Sequence, residues 1–272
     1  MAGAIVVILL VVFAVLAPWF GKDPIARDIE HGLTELGAPL APSADALLGT
    51  DHLGRDVWAR LAAGAGTSLW IATLATALAL AIGLAVGLVA GYLGGWVDGL
   101  LMRTVDLVMS FPALLVAILL AALLRETRLA ATSTPVILTL GLVSWTTMAR
   151  VIRSKTQSIS ASEYITAARA TGASVARILA RHVLPNVIGV VIVVTAVGFA
   201  QNLLNEAVLS YFGLGPAQPE PTWGRMLFEG RIYYRTSPHL LLAPGLAILL
   251  AVVAFNLLGE GLRDAFDPKE AR

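Results

Sequence analysis

Along the chain, apolar residues come in long blocks, and charged residues gather between them. The blocks cover about residues 3–20, 67–90, 100–124, 134–149, 187–209 and 240–258. A bilayer core takes about 20 apolar residues per helix. The pattern therefore predicts an all-α integral membrane protein with about six transmembrane helices and no sizeable soluble domain. Residues 1–20 make the first span, 21–66 a polar loop, 67–262 the span-rich core and 263–272 a polar tail. The first block is read as an uncleaved helix, because no Lys or Arg precedes it and no A-x-A-like site closes it.

Within the second block, Ala75, Ala79, Gly83, Gly87 and Gly91 recur every four residues. Small side chains in one stripe let backbones approach closely, which matters in lipid, where no hydrophobic effect drives helices together. This face is expected to press against another helix. The third block contains Pro112, with Arg103 and Asp106 on one face near its start.

Composition agrees with a membrane solvent: 57% of residues are hydrophobic and 14% charged, against about 25% charged in soluble domains. A net charge of +1 gives no bulk electrostatic case for nucleic acid. The absence of cysteine excludes disulfides, thiolate metal sites and cysteine nucleophiles. Charge distribution orients the chain. Residues 150–186 carry six basic side chains and one acid, Glu163, whereas residues 21–62 carry seven acids and four bases. By the positive-inside tendency the first segment is cytoplasmic and the second extracytoplasmic. With six spans, both termini are then cytoplasmic.

The 150–186 connection is the informative one. Ser162 to Ala170 is good helix material, Gly172 is a helix stop, and Val175 to Val183 reads as a second short helix ended by Pro185. Such a basic helix–turn–helix could dock to another protein, or lie on anionic lipid as an amphipathic element.

Thr166-Ala167-Ala168, Gly172 and His182-Val183-Leu184-Pro185 keep the spacing of the EAA loop of ABC-importer permeases, with Thr166 for Glu and His182 for Ile. Three other segments resemble the dipeptide/oligopeptide/nickel branch and its C-type subunits. They are Leu48-Gly49-Thr50-Asp51-His52-Leu53-Gly54-Arg55-Asp56, Leu209 to Gly215 with Pro221-Thr222-Trp223-Gly224, and Phe255 to Asp264 followed by Asp267-Pro268. The family's basic tail ahead of the first span is missing, which would fit a shortened start. The resemblance implies a type I ABC importer permease (MetI-like) fold, with residues 154–186 as the cytoplasmic coupling loop. It implies three kinds of partner: a second permease subunit in a heterodimer, two ATPase subunits carrying ATP and Mg, and an extracytoplasmic binding protein. Thr166, Ala167, Ala168, Arg169, Gly172, Leu184 and Pro185 are the residues it assigns to ATPase coupling.

The residues themselves exclude an ATPase. None of the three lysines, Lys22, Lys155 and Lys269, sits in a G-x-x-x-x-G-K-[ST] loop. The histidines form no H-E-x-x-H pair and no G-x-S-x-G elbow occurs, so no catalytic residue and no metal site is assigned. Asp51, His52, Arg55 and Asp56 read as turns and local ion pairs rather than metal ligands. In the fifth block Gln201 with Asn205, and Asn202 with Glu206, are i,i+4 polar pairs. At that depth they either wall a translocation path or bond to neighbouring helices. The amides and carboxylate suit a peptide, whereas Met102, Met109, Met148 and His239 are scattered for a nickel path. The expected function is ATP-driven di- or oligopeptide import by alternating access. Import of nickel or another small solute is the alternative, and an ion-coupled transporter or a membrane scaffold is more remote.

Overall fold

The computed structural model describes residues 2–266 apart from 128, 130, 131 and 218. Helix α1 (Ala2–Leu16) runs into a 3-10 turn (Ala17–Trp19). A long loop follows, with two isolated bridges, Leu33 to Pro39 and Thr50 to Asp56. Then come α2 (Val57–Leu93), α3 (Gly95–Met109), α4 (Ala113–Arg125), α5 (Thr134–Ser160), α6 (Glu163–Ala170), α7 (Val175–Ile178), α8 (Leu184–Tyr211), α9 (Trp223–Gly230) and α10 (His239–Phe266).

The six apolar blocks reappear, in three different forms. Helices α2, α5, α10 and the helical run Val175–Tyr211 are long and apolar enough to cross a bilayer. Helices α3 and α4 meet that length and apolarity only as a pair, bent by 84° at the break, which is the form of a broken span or a re-entrant loop. The cause is Pro112, which has no N–H to donate and clashes with a continuing helix. The first block is a shorter helical stretch, Gly3–Trp19.

Several boundaries differ from expectation. Helix α2 begins at Val57, ten residues before position 67, so the loop closes at Asp56. Asp56 caps it by accepting the Ala59 N–H at 2.9 Å. Arg60 then sits inside the helix, 2% exposed, because acidic partners neutralise it. Helix α5 continues past position 149 to Ser160. Helix α10 runs through Arg263 to Phe266, so the first part of the expected 263–272 tail is helical. Asp267, Pro268 and the rest of that tail lie outside the described residues.

Pro185 does not end a helix. A π-helical turn (Leu179–Val183) joins α7 directly to α8, and Pro185 stands in the first turn of α8, where a missing N–H is tolerated. The Asn186 side chain donates to the carbonyl of His182 at 2.7 Å, partnering one acceptor at this irregular junction.

The small-residue stripe of α2 packs on α5, as its pattern predicts. A Cβ on Gly83 would stand 2.8 Å from the Met148 Cβ, one on Gly87 2.8 Å from the Ile152 Cβ, and one on Gly91 2.6 Å from the Thr156 Cβ. Since Met148, Ile152 and Thr156 are also four apart, the two helices mesh as rows in register. Around this seam lie three apolar clusters: α2 with α8, α9 and α10; α2 with α5, α6, α7 and α8; and α2 with α4, α5 and α8.

Candidate functional site

Helix α2 sets the two ends of the molecule. Arg60 and Tyr92 are 32 residues apart on one helix, about 50 Å at 1.5 Å per residue. The loop before α2 gathers at the Arg60 end, and the 163–183 segment at the Tyr92 end.

At the Tyr92 end, α6, a turn and α7 form a protrusion. Gly172 takes φ +81°, its N–H bonds to the Arg169 carbonyl at 3.0 Å, and the Ala173 N–H bonds to the Ala168 carbonyl at 3.1 Å. This is the paired bonding of a glycine-terminated helix end. Ser174 caps α7 through the Arg177 N–H. Ile165 and Ile178 are buried beneath, while Thr166, Ala167, Arg169, Gly172 and Pro185 are exposed; Ala168 and Leu184 are partly buried. The Arg169 guanidinium lies over the Tyr92 ring at 4.6 Å and its Nε donates to the Tyr92 hydroxyl at 3.1 Å, which ties α6 to the end of α2. Two acids of α3 hold two cations of α5: Asp98 accepts from Arg153, and Asp106 from Arg150 at 2.6 Å. Asp106, which shares a face of α3 with Arg103, is thus paired across helices with Arg150.

In the middle of the molecule, the four polar residues of α8 divide between two faces. Gln201 and Asn205 bond to each other at 3.1 Å and line an open cavity of about 700 Å³. Its other walls are Ser144, Thr147 and Met148 of α5 and the α3–α4 break at Phe111 and Pro112. Asn202 and Glu206 point the other way and are fully buried. Asn202 accepts from Ser144 and donates to Thr76 Oγ1 at 3.0 Å, joining α2, α5 and α8. Glu206 accepts from Ser68 at 3.2 Å and from Ser210 at 2.7 Å. Ser68 Oγ in turn accepts the backbone N–H of Trp223.

Glu206 therefore serves as an interhelical anchor. Glu206→Gln keeps an acceptor and adds an amide that either serine oxygen can accept, so assembly and transport should stay within about twofold of wild type. Glu206→Leu strands both hydroxyls, at about 1–3 kcal/mol for each buried unsatisfied group, and should lower the amount of assembled complex several-fold. Size-exclusion recovery from solubilised membranes reads the difference. A strong transport loss in the Gln variant at normal recovery would contradict the anchoring role.

At the Arg60 end, a cluster of charges fastens the loop to α9. Glu229 accepts from Arg55 and Arg60 at 2.8 Å each and from Arg225 at 3.0 Å. Asp51 accepts from Arg55 at 2.7 Å and lies 3.3 Å from Arg60. The Asp51, His52 and Glu229 donor atoms lie within 4.8 Å of one another, yet guanidinium groups already supply the positive charge there. Burial depresses the His52 pKa, against the pull of Asp51 and Glu229, so the imidazole is neutral at pH 7 and stacks on Tyr233. Trp223 is fully buried and its Nε1 donates to the Leu61 carbonyl at 3.0 Å. Sequence reasoning took Asp51 and Arg55 for a local pair and assigned nothing to Arg60, Glu229 or Ser68. The Asp51–Arg55 pair is present at i,i+4, but Arg55–Glu229, Arg60–Glu229 and Ser68–Glu206 join residues more than 100 positions apart, which no local spacing signals.

Residues 83–272 match the family described as binding-protein-dependent transport system inner membrane component. A peptide transport system permease protein of Brucella suis biovar 1 (strain 1330) is 36% identical over 269 residues, covering 98% of this chain and 86% of that protein. The glutathione transport system permease protein GsiD of Shigella flexneri serotype 5b (strain 8401) is 39% identical over 269 residues, covering 99% and 86%. In three dimensions the chain resembles the MetNI methionine ABC transporter in an inward-facing conformation, with a TM-score of 0.64, 18% identity, and 77% of this chain and 96% of that chain covered. An amino acid ABC transporter crystallised with histidines superposes with a TM-score of 0.57, 17% identity, and coverage of 76% and 94%.

Proposed function

The chain belongs to the family of binding-protein-dependent transport system inner membrane components and is a permease subunit of an ABC importer, and we propose that it carries di- or oligopeptides inward by alternating access. The observation behind this reading is the course of α5. Its Ser144 and Thr147 line the cavity, and after Ser160 only two residues separate it from α6. Helix α5 is one unbroken rod, and its seam with α2 makes the pair a single stiff body. A push on the α6–α7 protrusion therefore reaches the cavity wall.

In this reading Thr166, Ala167, Ala168, Arg169, Gly172, Leu184 and Pro185 form or brace the surface that docks to an ATPase. A second permease subunit completes the path as a heterodimer. Two ATP-binding cassette subunits bind ATP and Mg and supply the energy, so the present chain is non-catalytic and carries no cofactor of its own. An extracytoplasmic binding protein delivers substrate onto the 20–56 loop and α9. Gln201 and Asn205 line the path, and their amides can pair with peptide N–H and C=O groups. The relatives named for peptide and glutathione transport support that substrate class. For nickel, Met109 and Met148 do share the cavity, but Met148 is 1% exposed and packs under Gly198, which leaves one open thioether.

Gly172 tests the coupling surface. A Cβ there meets nothing within 4 Å, so a substitution acts through φ alone. The left-handed conformation costs a side-chain-bearing residue about 1–2 kcal/mol, with asparagine the best tolerated. Gly172→Val should leave membrane insertion intact and lower transport about tenfold or more by tilting α7. Gly172→Asn should retain most of the activity. Normal transport in the valine variant would remove this turn from the coupling pathway.

Orientation follows from charge: the basic protrusion faces the cytoplasm, as do both termini. A cysteine at Ala44 should react with an impermeant maleimide from outside intact cells, and one at Ser174 only after permeabilisation. The reverse pattern at either site would invert the topology.

A further inference from the structure

Two cavities lie along the groove between α5 and α8. The 700 Å³ cavity takes Ser144 and Thr147 from α5, and Val194, Val197, Gln201 and Asn205 from α8. A second, of about 450 Å³, takes Arg150, Val151, Ser154, Lys155 and Ser158 from α5 and Val190 from α8. On α5 the positions 144, 147, 151, 154 and 158 advance by three or four, and on α8 so do 190, 194, 197, 201 and 205. Each set is one face of a helix. The two cavities are therefore successive stretches of a single groove, hydroxyl-lined on α5 and mainly valine-lined on α8, running toward the protrusion.

One cation in that lower stretch is unpartnered. Of the three basic residues on α5, Arg150 is held by Asp106 and Arg153 by Asp98. Lys155 is exposed, lines the groove, and has no carboxylate within 4.0 Å among the described residues. We infer that Lys155, with the Ser154 and Ser158 hydroxyls, forms an anion-accepting station in the cytoplasmic half of the path, which takes the carboxylates of a passing peptide. The inference rests on the reading of the groove as the path. In this open stretch Val151 and Val190 offer a carboxylate no hydrogen bond, whereas an ammonium group beside hydroxyl donors does. A positively charged peptide gains nothing there. Lys155 thus tunes selectivity by substrate charge, at a point downstream of the Gln201–Asn205 amides.

The experiment uses the complete transporter in proteoliposomes, saturated with its binding protein, with uptake measured for an acidic, a neutral and a basic peptide and normalised to complex. Because the same binding protein serves every variant, its own preference cancels in the comparison. Lys155→Glu should lower the acidic-to-basic ratio of maximal rates about fivefold or more, whereas Lys155→Arg should leave it near wild type. In parallel, Ser154→Cys is labelled with a bulky maleimide. Blocked uptake after labelling, together with the shifted ratio, is the expected result. Blocked uptake with an unchanged ratio overturns the Lys155 station and leaves the path standing. Full uptake after complete labelling overturns the path reading itself. A Lys155→Glu effect confined to complex yield, equal for all peptides, makes Lys155 a lipid-headgroup anchor and also overturns the station.

Discussion

Replacing Gly87 with leucine should leave almost no assembled permease. The expectation follows from the α2–α5 seam. A bare Cβ at Gly87 would already stand 2.8 Å from the Ile152 Cβ and 2.9 Å from the Ala149 carbonyl oxygen. Two of the three nearest atoms are side-chain carbons of a β-branched residue, and the third is backbone, so none can swing aside. Leucine would force the helices apart by an ångström or more. Overpacking costs about 1–3 kcal/mol in soluble cores, occasionally more. Here the loss is larger, because close packing is the main attraction between helices in lipid. Separation would also pull Thr76 and Ser144 away from Asn202, which bridges α2, α5 and α8. Recovery of complex from solubilised membranes should fall about tenfold or more, with Gly87→Ala intermediate. Gly99→Leu is the control: a Cβ there meets nothing within 4 Å, so recovery should be normal. Equal recovery of the Gly87 and Gly99 variants would show that the seam does not hold the bundle.

Glu229→Leu should unfasten α9 from the start of α2. That one carboxylate accepts from three guanidinium groups, and two of them, Arg55 and Arg60, are 4% and 2% exposed. Without it, only Asp51 remains to balance three cations. Removing one partner of a buried ion pair costs about 3–5 kcal/mol, since the surviving charges stay out of water. The melting temperature of the purified complex should drop steeply. Adding Arg60→Met to Glu229→Leu should recover part of the loss, because an apolar side chain of similar length removes an unpaired charge. A double variant no better than the single one would mean that the cluster is not what joins the loop to α9.

Much of this architecture was legible in the sequence, where the signal is periodic. The every-fourth small residues of α2 foretold a helix–helix seam, and Met148, Ile152 and Thr156 are the row that fills it. The spacing around Gly172 foretold the turn, because a positive φ there is a local backbone demand. Other features depended on distant partners. Arg60 read as a loop residue, since an arginine inside an apolar span is costly until Asp51 and Glu229 are brought to it by folding. Helix α9 escaped notice for the same reason: it is short, and its burial comes from Trp223 inserting against Leu61. The polar row of α8 was visible as a pair of i,i+4 couples about 100° apart. Which couple faces the cavity and which faces other helices was decided by Ser68, Thr76 and Ser144, hydroxyls that carry no distinctive pattern of their own. Pro185 was misread as a stop because a proline in a helix interior breaks it, while one in the first turn of α8 does not.

The central claim is that this chain is the membrane path through which ATP hydrolysis on partner subunits drives peptide inward. The direct test is uptake by proteoliposomes containing the chain purified with its neighbouring gene products, loaded inside with ATP and Mg and supplied outside with the binding protein. Labelled dipeptide, a longer peptide and nickel are offered in competition. The account predicts co-purification of two ATP-binding cassette subunits and peptide uptake that requires hydrolysable ATP and survives an ionophore. Uptake driven by an ion gradient without ATP, or nickel uptake with no peptide uptake, would contradict it.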